Sequence, residues 1–384
     1  MVIPMLNLPR QQESIRERLY GTVLATMAEA RYVSEEGVTP FEEKLAGLCG
    51  RRHAVGVGSG TAALQIALLA AGIGPGDEVV TVPNSFYATA EAVVQTGARP
   101  VFADVDPQTH LMDLSALETA LGARTRAVLP VHLFGNAVDV GAIRELLERQ
   151  GRADIVILED CAHAIGSRRS GRPVPLGGFG AFSFNPGKNI GGLSDGGAIV
   201  TDDDTVAFKA RLLRDHGRAQ KNHHAAIGFN SRLSRLNAEV LAVKIDFLES
   251  WNERRRQIAA RYDEVFAALP GIEPLKVEPA VQSARHQYVI RAELRDALRR
   301  HHEAWGIATA VHYPRLIVES SPLRALGGSA QTVPVAARLC SRLVSIPCYA
   351  ELEEAEIETI LVGVCNFCED IHLPQKRRTA GGRL

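Results

Sequence analysis

The chain has 384 residues, of which 46% are hydrophobic and 23% charged, and its 43 basic and 44 acidic side chains give a formal net charge of −1. This composition is typical of a folded globular protein and excludes a disordered chain. Because there is no positive surplus, it also argues against a protein whose main task is to bind nucleic acid; we expect the basic residues Lys376, Arg377, Arg378 and Arg383 to form a solvated tail.

From the sequence we expect neither a membrane segment nor a leader. No run reaches the roughly 18 apolar residues of a membrane helix, and residues 1–18 lack the apolar stretch of a signal peptide. We therefore expect a cytoplasmic protein. Six cysteines are too few for a disulfide framework in a chain of this length. We expect the single CxxC pair, Cys365 and Cys368, to be ordinary packing, and we predict no metal site.

Short β-rich runs alternate with helical stretches between about residues 50 and 215. The predicted strands are 53–59, 77–83, 100–105, 127–133 and 153–159, and the predicted helices are 61–71 and 86–95. Strands that are apolar on both faces belong to a sheet covered by helices on both sides. Their alternation with helices implies parallel pairing through right-handed crossovers, which predicts an open α/β architecture.

The pattern changes near residue 250. We predict a long polar helix at 235–269, a strand at 287–292, a helix at 295–305 and a final helix after residue 351. This change indicates a domain boundary, with a large domain at 1–250 and a smaller C-terminal domain at 251–384.

A turn of small and hydroxyl residues, Gly58-Ser59-Gly60-Thr61, joins the first predicted strand to the following helix. Glycines let backbone N–H groups approach an anion closely, and a helix N-terminus adds a favourable dipole. The two hydroxyl groups add further donors. The same residue types also build ordinary strand-to-helix turns with an N-cap, so phosphate binding and a plain turn both fit this segment.

Two ionisable residues follow predicted strands further along the chain. Asp160 comes after the apolar run ADIVILE, and a carboxylate at the end of a central parallel strand lies where open α/β sheets bind ligands. A helix N-cap or turn role also fits it. Lys188 follows the run FSFNPG in a loop, where burial or a nearby cation would let its amine react with an aldehyde. The alternative for Lys188 is an ordinary surface lysine.

Taken in chain order, these residues are the parts needed to bind pyridoxal phosphate. In this interpretation the Gly-Ser-Thr turn and Ser183 bind the phosphate, and Phe86 stacks on the ring. Asp160 keeps the pyridine nitrogen protonated through a charge-assisted hydrogen bond, so that the ring acts as an electron sink. Lys188 holds the aldehyde and then transfers the proton.

With these residues in view, the sequence resembles the sugar aminotransferases of the DegT/DnrJ/EryC1/StrS group, which have the aspartate-aminotransferase fold (fold type I). The resemblance covers nearly the whole chain. Its motifs are GSGTAAL (58–64), GDEVVTVPNSFYATAEAV (76–93), EDCAHAIGS (159–167), FSFNPGKNIGGLSDGG (182–197), GFNSRL (228–233), WNERRRQIAARY (251–262) and VHYP (311–314). It implies a large cofactor-binding domain with a mostly parallel seven-stranded sheet and a smaller C-terminal α+β domain.

The resemblance assigns roles to residues that match the family's motifs. It implies that Lys188 is the Schiff-base lysine and that Asp160 is the partner of the pyridine nitrogen. Phe86 matches the stacking aromatic residue. His163 stands where the family has Gln or His near the ring oxygen of the cofactor, and we count it with Lys188 and Asp160 as catalytic.

On the phosphate side, the resemblance implies contacts from Ser59, Gly60, Thr61 and Ser183. Asn230 matches an Asn that reaches the phosphate from the neighbouring subunit, which implies a homodimer with two shared active sites. His312 and Tyr313 match a segment near the substrate.

The resemblance also bears on the reaction. Relatives that replace the lysine with His are dehydratases, so Lys188 favours transamination. KNIGGLSDGG resembles the KNLGA-x-GDGG form of enzymes that aminate C3 of nucleotide-linked 3-keto-6-deoxyhexoses, with Gly192 in place of Ala and Ser194 in place of Gly. We expect L-glutamate to donate the amino group, through pyridoxamine phosphate, to such a ketosugar in amino-sugar or antibiotic biosynthesis. The alternatives are a cyclitol or other cyclic ketone as acceptor, a dehydratase, and a non-catalytic regulator.

Overall fold

The computed structural model describes residues 2–325 and 332–372. The basic residues at 376–378 and 383 lie outside these ranges, and their expected solvation stays a prediction. Within the ranges, no helix combines the length and the apolar character needed to cross a membrane.

The α-helices of the described ranges are α1 Leu8–Ser14, α2 Arg16–Glu29, α3 Glu35–Cys49, α4 Gly60–Ala70, α5 Ala88–Gln95, α6 Leu114–Ala120, α7 Val140–Arg149, α8 Asp204–Arg214, α9 Arg235–Ile245, α10 Leu248–Phe266, α11 Arg295–Ala304, α12 Ser321–Ala325, α13 Pro334–Cys340 and α14 Glu354–His372. Short 3-10 helices occur at Leu133–Gly135 and Ile317–Glu319.

The strands are β1 His53–Val57, β2 Glu78–Thr81, β3 Arg99–Phe102, β4 Thr125–Val128, β5 Val156–Ile157, β6 Glu159–Asp160, β7 Arg168–Arg169, β8 Arg172–Pro173, β9 Phe179–Ser183, β10 Gly197–Thr201, β11 Arg218–Gln220, β12 His223–His224, β13 Ile272–Pro274, β14 Val281–Gln282, β15 Tyr288–Ala292 and β16 Leu343–Ile346.

The central sheet is formed by two ladders that meet at one interrupted strand. One ladder has the order β3-β2-β4-β5 and the other the order β6-β9-β10-β1. Only Leu158 separates β5 from β6, and its N–H donates to Val128 O at 3.0 Å, so the pairing continues. The result is a seven-stranded sheet in which only β10 runs antiparallel to its neighbours. This confirms the predicted, mostly parallel sheet.

Alternate residues of the strands pack on opposite faces of this sheet. Ala181 and Ile199 belong to the core beneath α4, α5 and α8. The adjacent Phe182 and Val200 belong to the core beneath α3, α7 and α9. Because both faces are buried, the strands are apolar at nearly every position, which is the pattern that identified them in the sequence.

A second core lies in the C-terminal part of the chain. The antiparallel sheet β13-β15-β16 packs with α10, α11 and α14, as expected for a smaller α+β unit. Ile3 also belongs to this core, and its N–H donates to Gly306 O at 2.8 Å. Cys368 is buried there, whereas Cys365 is half-buried. The division of the chain at residue 250 stays a prediction.

The helix predicted at 235–269 is two helices rather than one. α9 ends at Ile245 and α10 begins at Leu248. The N–H groups of Asp246 and Phe247 donate to carbonyls three residues earlier, which tightens the backbone and ends the first helix. Asp246 then pairs with Lys44 at 2.7 Å and Arg18 at 2.5 Å, so tertiary contacts stabilise the break.

Candidate active site

A cavity of about 540 Å³ opens where the carboxyl ends of β6 and β9 face the C-terminal part of the chain. Ten of the eleven predicted site residues line it: Ser59, Gly60, Thr61, Phe86, Asp160, His163, Ser183, Lys188, His312 and Tyr313. Six of the lining residues end or follow strands of the central sheet, and we call them the sheet wall: Ser59, Gly60, Thr61, Asp160, Ser183 and Lys188. We call His286, His312 and Tyr313 the histidine wall.

One end of the sheet wall is the N-terminus of α4. Ser59 caps this helix, with its hydroxyl accepting from the Ala62 N–H at 3.1 Å. The N–H groups of Gly60 and Thr61 belong to the first turn and have no intrahelical acceptor. A Cβ on Gly60 would lie 2.5 Å from Ser183 Cβ, so the glycine allows the hydroxyl of Ser183 to approach the helix end. This end of the cavity is suited to an anion.

Lys188 lies in the loop that follows β9, in a turn organised by Asn185. The carbonyl of Asn185 accepts from the Lys188 N–H at 2.9 Å, and its side chain bonds to the Gly187 N–H and to Asp195. In the described chain the Lys188 amine makes no hydrogen bond, so it is free to react. Burial lowers its pKa to about 8, while the Asp160 charge opposes that shift. A substantial minority of the Lys188 amine is therefore neutral near physiological pH, where an ordinary lysine is almost wholly protonated.

Asp160 ends β6 and is buried beside the cavity. Its two oxygens accept from the Thr89 hydroxyl at 2.8 Å and from the Ala162 N–H at 3.1 Å. Thr89 in turn accepts from Ser85 at 2.9 Å. Burial raises the pKa of Asp160, and these donors together with Lys188 oppose the shift. Thr89 and Ser85 were not predicted from the sequence, although Thr89 lies three residues after Phe86 and its N–H donates to the Phe86 carbonyl at 3.1 Å.

His163 lies three residues after Asp160 and is buried beside the backbone N–H of Phe134. Its Nδ1 accepts from the Phe134 N–H at 3.3 Å, and burial holds its pKa well below the usual value. A neutral imidazole that accepts at Nδ1 carries its proton at Nε2. His163 thus offers an N–H donor at the edge of the cavity.

Two aromatic side chains, Phe86 and Tyr313, also line the cavity. Phe86 is 57% exposed, and its ring centroid lies 5.7 Å from that of Tyr313. The His312–Tyr313 peptide bond is cis. His312 Nδ1 lies 2.7 Å from Ser345 Oγ on β16, and burial lowers the pKa of His312 to about 4. The imidazole of His312 is therefore neutral at physiological pH.

Asn230 is the predicted site residue that does not line this cavity. It is exposed, its backbone bridges to Asp215, and its side-chain oxygen accepts from Arg232 at 3.1 Å. Within one chain, then, the structure places Asn230 on the surface and outside the lining of this cavity.

His132, Glu159 and Cys161 form a separate buried cluster of metal-ligand types. Glu159 Oε2 lies 2.8 Å from His132 Nε2 and accepts from the Leu176 N–H at 2.6 Å. His132 Nδ1 accepts from the Val138 N–H at 3.0 Å. Because these groups already have protein partners, the cluster is explained as support for β6 rather than as a metal site.

Comparisons with known proteins agree with the geometry. A protein of Streptomyces venezuelae named dTDP-3-amino-3,4,6-trideoxy-alpha-D-glucose transaminase is 39% identical over 373 residues, which cover 96% of this chain and 97% of that protein. A protein of Geobacillus stearothermophilus named pleiotropic regulatory protein is 37% identical over 372 residues, covering 96% and 99%.

Among solved structures, the X-ray structure of S. venezuelae DesV in complex with a ketimine intermediate matches with a TM-score of 0.93 and 38% identity, covering 96% of this chain and 99% of that one. The sequence profile of the DegT/DnrJ/EryC1/StrS aminotransferase family matches residues 13–364. With a site built around Lys188 and a match over nearly its whole length, this chain belongs to the DegT/DnrJ/EryC1/StrS aminotransferase family.

Proposed function

We propose that this protein is a pyridoxal-phosphate-dependent aminotransferase that transfers the amino group of L-glutamate to a nucleotide-linked 3-keto-6-deoxyhexose. The observation that carries the proposal is the sheet wall. In one cavity it places a free lysine amine of lowered pKa, a buried carboxylate and the N-terminus of a helix. These are three groups that a phosphorylated pyridine aldehyde requires.

The residues present fit this cofactor. The first turn of α4 and Ser183 would hold the phosphate, because the Cβ-free position at Gly60 leaves room for a close approach. Asp160 would hold a proton at the pyridine nitrogen, with Thr89 fixing the carboxylate. The exposed ring of Phe86 would cover one face of the pyridine. His163 would donate from Nε2 to the ring oxygen.

When bound, pyridoxal phosphate supplies an electron sink and carries the amino group as pyridoxamine phosphate. The Lys188 amine would take a proton from the α-carbon of the amino donor and, in the second half-reaction, would deliver a proton to the carbon of the acceptor that becomes aminated. Its lowered pKa allows both directions near neutral pH. Asp160 would hold a proton at the pyridine nitrogen, and burial keeps His163 and His312 uncharged beside the amine.

The ketosugar assignment draws on the S. venezuelae relative, whose name specifies an amino sugar linked to a nucleotide. A cyclitol or another cyclic ketone is the alternative acceptor.

The G. stearothermophilus relative is named as a regulator, so a non-catalytic role is a second candidate. The complete set of Lys188, Asp160 and Ser183 favours turnover, because a binding protein needs no reactive amine. Lys188 likewise disfavours a dehydratase. A cytoplasmic location completes the proposal.

Absorbance spectroscopy tests the first half-reaction. Purified protein loaded with pyridoxal phosphate should show a visible band from the lysine-linked cofactor, and excess L-glutamate should remove it. A ketone that restores the band is then an acceptor. If no band forms after pyridoxal phosphate is added, the aminotransferase proposal fails. A band that no amino donor changes would instead favour the dehydratase or the regulator.

We also propose a homodimer in which Asn230 completes the partner's phosphate site, consistent with its exposure away from its own cavity. Mixed, refolded subunits test this. Lys188→Ala and Asn230→Ala proteins should each be weakly active alone, whereas a mixture should recover roughly one quarter of wild-type activity, because each mixed dimer has one intact site. No recovery in verified mixed dimers would show that the sites are not shared.

A further inference from the structure

A chain of buried amides runs behind the histidine wall to His286. Asn252 Nδ2 donates to the Ile165 carbonyl at 3.0 Å, and Asn252 Oδ1 accepts from Asn189 Nδ2 at 2.7 Å. Asn189 Nδ2 also donates to the Ala284 carbonyl at 2.8 Å. Asn189 Oδ1 then lies 2.9 Å from His286 Nδ1.

The backbone carbonyls determine how these amides are oriented. A carbonyl oxygen can only accept, so the nitrogen of Asn252 must face Ile165 and the nitrogen of Asn189 must face Ala284. The oxygen of Asn189 therefore faces His286. Since an amide oxygen is also only an acceptor, His286 Nδ1 must carry the proton and donate it.

Because His286 Nδ1 carries the proton, His286 Nε2 is left as a hydrogen-bond acceptor at the cavity. Burial holds the pKa of His286 well below its usual value, so the imidazole is neutral and its Nε2 has a free lone pair. His286 lines the cavity, and Nε2 has no hydrogen-bond partner in the ranges the structure covers. Its ring centroid lies 4.5 Å from that of His163, which presents an N–H donor instead.

We propose that His286 is a specificity-determining residue whose Nε2 accepts a hydrogen bond from a hydroxyl on a carbon next to the acceptor's ketone. This assignment rests on the proposed aminotransferase function and defines its acceptor as a hydroxyketone. Asn189 and Asn252 are positioning residues, because they act only by holding the His286 tautomer. A pocket that offers a bare acceptor favours substrates with a hydroxyl there and discriminates against those without one.

The reverse sugar half-reaction tests this with stable probes. Holoenzyme is mixed with dTDP-3-amino-3,6-dideoxyglucose, its 4-deoxy counterpart or its 2-deoxy counterpart, and the single-turnover loss of the cofactor band is timed. We expect His286→Leu to slow the parent sugar by roughly 10- to 100-fold and to slow L-glutamate less. His286→Gln should recover part of the rate, because its amide oxygen is an acceptor. With the deoxy probe that lacks the contacted hydroxyl, the Leu variant should match the wild type.

If His286→Leu slowed the reactions of all three sugars equally, the proposal would be overturned. It would also be overturned if the reaction with L-glutamate slowed as much as that with the sugars, because His286 would then act on Lys188 rather than on a sugar hydroxyl. His301→Leu is the matched control, because His301 is half-buried on α11 and does not line the cavity. Failure of the wild-type protein to react with L-glutamate contradicts the proposed function itself. A wild type that reacts with L-glutamate but not with any of the sugars removes the hydroxyketone assignment.

Discussion

The sheet wall draws its polar groups from residues at or shortly after the carboxyl ends of β1, β6 and β9, all at one edge of the central sheet. Asp160 pairs in register with Ala181, two residues before Ser183, so the pairing of β6 with β9 sets their spacing. The histidine wall comes from residues 286–313, held by β16 and by buried amides. Motif and strand order therefore position one wall, and long-range packing positions the other.

We expect the largest loss of turnover when the reactive amine of the sheet wall, that of Lys188, is removed. Lys188→Ala should lower turnover by roughly 10³-fold or more, because the amine that moves the proton is gone, while pyridoxal phosphate still binds non-covalently. Steady-state turnover and equilibrium cofactor binding measure the two effects. Lys209→Ala, on the exposed face of α8, is the matched control. Retained turnover in Lys188→Ala would remove Lys188 from its proposed role.

Asp160→Asn should cost roughly 10²- to 10³-fold in turnover, because a neutral amide cannot keep the pyridine nitrogen protonated. Stopped-flow traces of both half-reactions would measure the loss, with Asp154→Asn on the surface as control. The two half-reactions should slow together, since both need the protonated ring. If only the sugar half-reaction slowed, Asp160 would contact the acceptor rather than the cofactor.

Gly192→Ala probes the loop that carries Lys188. A Cβ there would overlap the Asn237 carboxamide, which cannot swing away because it bonds to the Leu193 N–H and the Asp195 carbonyl. We expect a loss of about 1–3 kcal/mol in the free energy of unfolding, measured with denaturant. Gly47→Ala, where nothing lies within 4 Å, should not destabilise. Equal stability of the two variants would contradict the crowding argument.

The pH dependence of cofactor attachment tests the burial of Lys188. Because burial lowers the pKa from 10.5 to about 8, the neutral amine becomes more abundant as pH rises. The attachment rate to apoprotein should increase about tenfold per pH unit below 8 and level off above it. Asp160 raises this pKa, so Asp160→Asn should move the midpoint lower. A wild-type midpoint near 10.5 would contradict burial.

The smallest effect is expected in the histidine wall. Ser345→Ala removes the partner of His312 Nδ1 and should cost about 0.5–1.5 kcal/mol in stability, with a several-fold slower sugar half-reaction. Thermal unfolding and single-turnover rates measure these changes, and Ser341→Ala on the surface is the control. If Ser345→Ala slowed the L-glutamate half-reaction as much as the sugar half-reaction, the histidine wall would affect both steps, and the two walls would not have separate roles.

The open α/β architecture, the anion turn, Asp160 and Lys188 could all be predicted from the sequence. Strands buried on both faces are apolar throughout, and the ends of parallel strands meet at one sheet edge, so local pattern implies spatial proximity. Phe86 and Ser183 were also identified from the residues, and the family resemblance added His163, Asn230 and the His312–Tyr313 segment. Ten of the eleven predicted residues lie around one cavity, whereas the role of Asn230 in a partner subunit's site stays a prediction.

Only the tertiary structure decided the rest. His286 lies 98 residues after Lys188 in the chain (286 − 188), and nothing in QSARHQYV marks its tautomer. That tautomer follows from Asn189 and Asn252, whose orientations depend on backbone carbonyls brought together by folding. The break between α9 and α10 has the same origin, since Lys44 and Arg18 reach Asp246 only in the folded chain. Local patterns determine which residues end strands, whereas hydrogen-bond direction depends on partners distant in sequence.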